Sequence, residues 1–278
     1  MATVVVEAEE RIAVDPLTRP ESASHHSWRW LRRLIGPLVL LAIWQLGSWT
    51  GLIPSRNLAP PGQVASAAWD LLKTGELQHH LWVSLGRAVK GLVIGATLGT
   101  ALAVVSGLWR LGEDLIDAPM QMLRTLPFVA LVPLFILWFG IGDEAKIALI
   151  ILGTAFPMYI NTFAGIRGVD AKLVEAAKTV GLSRWGLIKD VVLPGALPSA
   201  LVGLRYSMTI SVLALVVAEQ INASAGIGYL ITNARDFLQT DVIVVGLLVY
   251  ALLGIGADLI VRLLERTLLG WRRSFTGA

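Results

Sequence analysis

The 278-residue chain contains no cysteine, which excludes a disulfide framework and any thiolate metal site. Charge is the second scarcity. Asp, Glu, Lys and Arg make up 15% of the residues, where a soluble domain carries about 25%, so lipid is the expected solvent for most of the surface. None of these four residues occurs between Arg33 and Arg56, Lys90 and Arg110, Arg124 and Asp143, or Lys146 and Arg167. Each gap approaches or reaches the roughly 20 residues a helix needs to cross the hydrocarbon core. A G-x-x-x-x-G-K-[ST] phosphate loop is missing too, which argues against ATP hydrolysis by this chain. The net charge of +3 is too small for a nucleic-acid footprint, and no nucleic acid is expected as a partner.

What is present is apolar: 55% of the residues are hydrophobic. Segments 34–51, 83–108, 126–141, 147–165, 196–218 and 242–264 read as spans. They are continuous apolar runs without period-two alternation, and backbone groups in lipid must bond internally, so helices are predicted. The fold class expected is an all-α polytopic membrane protein with six transmembrane helices in one domain, 31–273. Residues 1–30 read as a mobile N-terminal tail and 274–278 as a C-terminal one. The region around Glu7, Glu9 and Glu10 lacks the basic start of a secretory signal.

Lys and Arg set the orientation. With both termini cytoplasmic, the inside collects Arg11, Arg19, Arg29, Arg32, Arg33, Arg110, Arg124, Arg167, Lys172, Lys178, Arg184, Lys189, Arg262, Arg266, Arg272 and Arg273, while Arg56, Lys73, Arg87, Lys90, Lys146 and Arg235 fall outside. Segment 52–82 is then external, and after Pro60-Pro61-Gly62 residues 63–73 can form a surface helix with Val64, Ala67, Ala68 and Leu71 on one face. Pro127, Pro133 and Pro157 bend spans three and four, for packing or for gating. Gly91, Gly95 and Gly99 form a ladder that permits close helix approach, within one subunit or across a dimer.

Between spans four and five lies a polar insert, 170–194, longer than a connection needs. Asp170 is an N-cap candidate, Leu173, Ala176, Ala177 and Val180 share a helix face, and Gly181 can close that helix. Ser183 can cap a second short helix through Trp185, Leu187 and Ile188. An Ala pair beside Glu175, with Trp185 as an apolar anchor, suits the approach of another protein. The competing reading is an amphipathic linker on the lipid headgroups.

Glu175-Ala176-Ala177-x-x-x-Gly181, followed after nine residues by Val191-x-Leu193-Pro194, resembles the EAA signature of ATP-binding-cassette (ABC) importer permeases. Met120–Pro127, Leu137–Ile141, Phe156–Thr162 and Ala225–Leu230 look like the nitrate/sulfonate/taurine branch, and Asn233–Asp241 is most similar to its aliphatic sulfonate permeases. The resemblance covers about 52–273. It implies a type I importer fold with cytoplasmic coupling helices in the bacterial plasma membrane. It also implies a homodimer, two ATPase subunits, and an extracytoplasmic substrate-binding protein. No cofactor is expected on this chain; ATP and Mg would sit on the partner ATPase. Glu175, Ala176, Ala177, Gly181, Trp185, Leu193 and Pro194 become the ATPase-coupling residues.

Arg205 is the one charge well inside an apolar run. Near the bilayer centre it must face protein or a water-filled cavity. It suits a sulfonate on a substrate pathway, or alternatively a structural pairing with a carboxylate. Glu219, Gln220 and Asn222 read as a solvated helix terminus in preference to an outer gate, and Asp258 as a boundary residue near Arg262. His79-His80 are too close in sequence to face one ion without further ligands, so no metal is assigned. The expected function is import of a small anion, most of all aliphatic sulfonates, with taurine, nitrate or another small organic solute as alternatives. An ion-coupled secondary transporter would need repeated halves, and a membrane enzyme would need convergent catalytic groups; neither pattern is visible.

Overall fold

The computed structural model describes residues 26–221 and 223–270, and every regular element among them is helical. In order they are α1 (His26–Trp49), α2 (Pro61–Lys73), α3 (Glu76–Leu108), α4 (Arg110–Thr125), a 3-10 turn (Phe128–Leu131), α5 (Val132–Phe139), α6 (Asp143–Arg167), α7 (Ala171–Thr179), α8 (Arg184–Leu187), a π turn (Ile188–Val192), α9 (Leu193–Gln220), α10 (Ile227–Asp236) and α11 (Thr240–Leu268). Helix α1 begins within the stretch expected as tail; residues 1–25 and 274–278 lie outside the described residues.

Helix α6 is the axis of the bundle, packed along α3 on one side and α9 on the other. The glycine ladder explains the first contact. A Cβ at Gly91 would stand 2.5 Å from Ile150 Cγ2, one at Gly95 would stand 2.6 Å from the Ile151 carbonyl oxygen, and one at Gly99 would meet the Ala155 carbonyl. The close approach that the ladder permits is therefore spent inside one subunit. Buried hydroxyls then stitch the three helices: Thr154 Oγ1 donates toward the Gly91 carbonyl at 3.3 Å, and Ser207 Oγ donates to the Thr154 carbonyl at 2.8 Å. In an apolar medium such side-chain to backbone bonds satisfy groups that have no water to turn to.

Four helices are long and apolar enough to cross a membrane, taking α8 through α9 as one: Glu76–Leu108, Asp143–Arg167, Arg184–Gln220 and Thr240–Leu268. Span three departs from the expected straight helix over 126–141. Leu126 takes extended geometry (ψ 127°) ahead of Pro127, as the pyrrolidine ring demands of its predecessor. The apolar run is thus cut into a 3-10 turn and the eight-residue α5. It makes a fifth crossing only together with α4, from which it is bent by 93°. Helix α4 was not foreseen, since its charges hide a stripe of Ile116 and Met120 that packs against Ala103 and Tyr159. Helix α10 was likewise missed. It lays Ile227, Leu230 and Ile231 into the main core with Ile150, Ala214, Leu215 and Val245. The expected surface helix is present as α2, begun by Pro61 and anchored by buried Val64.

Candidate functional sites: a protruding elbow and a buried carboxylate

The insert between α6 and α9 is built by local rules. Asp170 Oδ1 accepts from the Lys172 amide at 2.9 Å and starts α7. Gly181 ends it at φ +87°. Its N–H donates to the Lys178 carbonyl at 3.0 Å, and the Leu182 N–H to the Ala177 carbonyl at 3.1 Å. This is the paired closure that a left-handed residue after a helix allows. Ser183 Oγ accepts from the Gly186 amide at 3.1 Å and starts α8. Pro194 has no N–H for the carbonyl four residues back; just before it, the Leu193 N–H reaches the Ile188 carbonyl instead, which widens the helix to a π turn.

The packing of this insert is one-sided. Leu187 and Val192 join Ile166, Ala196 and Leu108 in a small core that fastens it to the bundle. Facing away, Leu173 is 59% exposed, Val180 80% and Trp185 72%. Among the described residues α7 buries none of its side chains. Glu175, Ala176, Gly181, Leu193 and Pro194 are exposed as well, and Ala177 is half-buried. The elbow therefore presents exposed apolar side chains edged by Lys172, Glu175, Lys178 and Arg184, with none of the described residues covering them.

At the other end of the bundle, where α3 and α6 begin and α9 ends, the structure corrects the sequence. Glu219 is 1% exposed; it is not a solvated terminus. Ser84 Oγ donates toward its two carboxylate oxygens at 2.8 and 2.7 Å, Arg87 Nη1 donates to Oε1 at 2.7 Å, the Gly228 amide to Oε2 at 3.0 Å, and Tyr250 Oη to Oε2 at 3.3 Å. Arg87, counted among the outer charges, is 5% exposed. Its Nε and Nη2 donate to Asp143 Oδ1 at 3.0 and 2.7 Å, and its Nη1 also reaches the Ala225 carbonyl at 2.6 Å. The turn before α10 is held by the same cluster: the Gly226 amide donates to His80 Nδ1 at 3.0 Å and the Ile227 amide to Ser84 Oγ at 2.8 Å. One buried carboxylate thus ties α3, α9, α10 and α11 together, with Arg87 extending the tie to α6. A charge buried without such partners would cost several kcal/mol. Gln220 is exposed, and Asn222 lies outside the described residues.

Arg205 sits on α9, donating to Glu265 Oε2 at 2.8 Å with Asp258 Oδ1 3.5 Å from its Nε; both carboxylates are on α11. Asp258 also accepts from Arg262 at 2.7 Å. Near the elbow, Arg167 pairs with Glu113.

Residues 91–270 match the protein family described as binding-protein-dependent transport system inner membrane component. The chain is 50% identical to the aliphatic sulfonates transport permease protein SsuC of Escherichia coli, over 89% of this chain and 95% of that protein. It is 45% identical to the Bacillus subtilis protein of the same name, over 89% and 90%. It is 34% identical to the taurine transport system permease protein TauC of Escherichia coli, over 88% and 93%. Among solved structures, an amino acid ABC transporter chain aligns with a TM-score of 0.55 at 16% identity, covering 68% of this chain and 92% of that one. A chain of the MetNI methionine ABC transporter aligns with a TM-score of 0.52 at 20% identity, covering 67% and 94%.

Proposed function

Since the chain belongs to the binding-protein-dependent transport system inner membrane components, a multi-pass membrane family, we propose that its cargo is an aliphatic sulfonate moved into the cytoplasm. The observation that carries the cargo is 50% identity sustained over 95% of a permease named for aliphatic sulfonates. The taurine permease, at 34%, is the second reading, supported by nearly the same coverage but by fewer shared residues.

An ABC importer permease works with an ATPase, and the elbow is the surface that suits one. Its exposed Leu173, Val180 and Trp185 are apolar anchors, with Glu175 beside them for a basic side chain of the partner. We place the elbow in the cytoplasm, the Glu219 end outside, and a second copy of this chain beside the first. ATP and Mg belong on the partner. Two arrangements of the bundle, one open to each side, would be biased by the nucleotide state of that partner. Arg205 stays a candidate for the substrate path, one that an anion reaches only when Glu265 lets go. Normal uptake by Arg205→Ala would remove it.

Deleting the gene is expected to abolish growth on alkanesulfonates as sole sulfur source while sparing growth on sulfate. Unimpaired growth on alkanesulfonates would refute the cargo. An ATPase that co-purifies with the wild type but not with a Glu175→Arg, Trp185→Ala double variant would support the docking surface. Equal recovery with both would refute it.

A further inference from the structure

The break between α4 and α5 opens a cleft of about 360 Å³, within the size range of small-molecule sites. Leu126 and Leu131 form one wall, Phe156 and Pro157 on α6 another, and Ile210 on α9 closes the third; the charge at its edge is Arg124. Phe156 stands near the middle of the 25-residue α6, a helix about 37 Å long at 1.5 Å per residue. The cleft is therefore at mid-depth of the bundle.

Arg124 is exposed at the edge of the cleft, whereas other arginines are held in ion pairs across helices. Arg87 has Asp143 and Glu219, Arg167 has Glu113, and Arg205 has Glu265 and Asp258. Among the described residues no carboxylate lies within ion-pair distance of Arg124. An exposed guanidinium without an ion-pair partner beside the cleft is free to receive an anion. Arg124, in the last turn of α4, and Leu126 and Pro127, just after it, share the cleft with Phe156 and Pro157 of α6. Gly153 leaves the floor open, since a Cβ there would stand 3.1 Å from Ile210 Cγ2.

We propose that this cleft is a transit site for alkanesulfonates, with Arg124 receiving the anionic head through forked hydrogen bonds. Leu126, Leu131, Phe156 and Ile210 receive the alkyl chain. The proposal rests on the sulfonate reading above and adds the site at which the membrane subunit itself meets the cargo.

The test uses the complete transporter in proteoliposomes, with its ATPase and binding protein, and labelled ethanesulfonate and octanesulfonate as probes. Arg124→Gln is expected to lower the maximal uptake rate of both by about tenfold or more, leaving the KM for loaded binding protein unchanged. Basal ATP hydrolysis should be unaffected, and Arg124→Lys should recover part of the rate. Gly153→Val, which narrows the cleft beside Ile210, should reduce octanesulfonate uptake several-fold more than ethanesulfonate uptake. Wild-type proteoliposomes that take up neither sulfonate overturn the cargo reading and this site with it. Uptake by the wild type matched by Arg124→Gln overturns the site alone. If Arg124→Gln does not assemble, the chain-length ratio of Gly153→Val decides, and an unchanged ratio rejects the site.

Discussion

Glu219 shows how a single side chain can hold several elements without being recognisable from its neighbours. In the sequence it follows Ala218 at the end of an apolar run, the usual place for a solvated terminus. Its partners Arg87 and Ser84 are 132 and 135 residues away, and a pairing at that range leaves no local trace. Replacing one member of a buried pair leaves the other charge unmatched, at about 3–5 kcal/mol. Glu219→Ala should therefore lower the thermal midpoint of the detergent-purified protein by several degrees, and Glu219→Gln, which keeps part of the hydrogen bonding, by less. The readout is a melting curve; an unshifted curve for Glu219→Ala would contradict the network. Arg205, by contrast, was legible as a problem, because a charge in an apolar run demands a partner. Which partner it takes depends on α11 lying alongside α9.

Among the elements, what could be read depended on how local the determinant was. Long apolar runs poor in charge located α3, α6, α9 and α11, because exclusion of charge from lipid acts along the whole of a span. Side-chain caps located α7 and α8, since Asp170 and Ser183 each act within three residues. The same logic failed for α4, whose short apolar stripe is interleaved with charge, and for α10, which is only ten residues long, so that only their tertiary contacts distinguish them from loops. Pro127 and Pro133 were visible as bends, yet the 93° turn depends on where the chain resumes. The elbow offers the sharpest element-level prediction. Gly181 has φ +87°, where a β-branched residue costs about 1–2 kcal/mol. Gly181→Val should unseat the junction of α7 and α8 and reduce the amount of ATPase recovered with the complex. Gly181→Asn, which tolerates the left-handed region, should recover more than Val does. Equal recovery for Gly, Asn and Val would mean that the closure geometry does not matter to docking.

For the molecule as a whole, the helical class and the core of long helices follow from composition, whereas the family was expected only from the resemblance of residues 175–194 and other segments, and the match over residues 91–270 bears it out. The orientation proposed from Lys and Arg can be measured directly, because a chain without native cysteine accepts single reporters. Ser183→Cys should react with a membrane-impermeant maleimide only in inside-out vesicles, and Asp236→Cys only from outside intact cells. The reverse pattern would place the elbow on the wrong face for an ATPase and reject the proposed mechanism at its root.

The helical path from Arg184 to Gln220 covers 37 residues, about 55 Å at 1.5 Å per residue. The π turn widens it without cutting it. At its near tip stands Trp185 and at its far tip Glu219, so the proposed docking surface and the clasp on Arg87 belong to one continuous pole. Tilting such a pole at the bottom drags its top sideways, and the knot of Ser84, Arg87 and Tyr250 is then either the fulcrum or the first thing to yield.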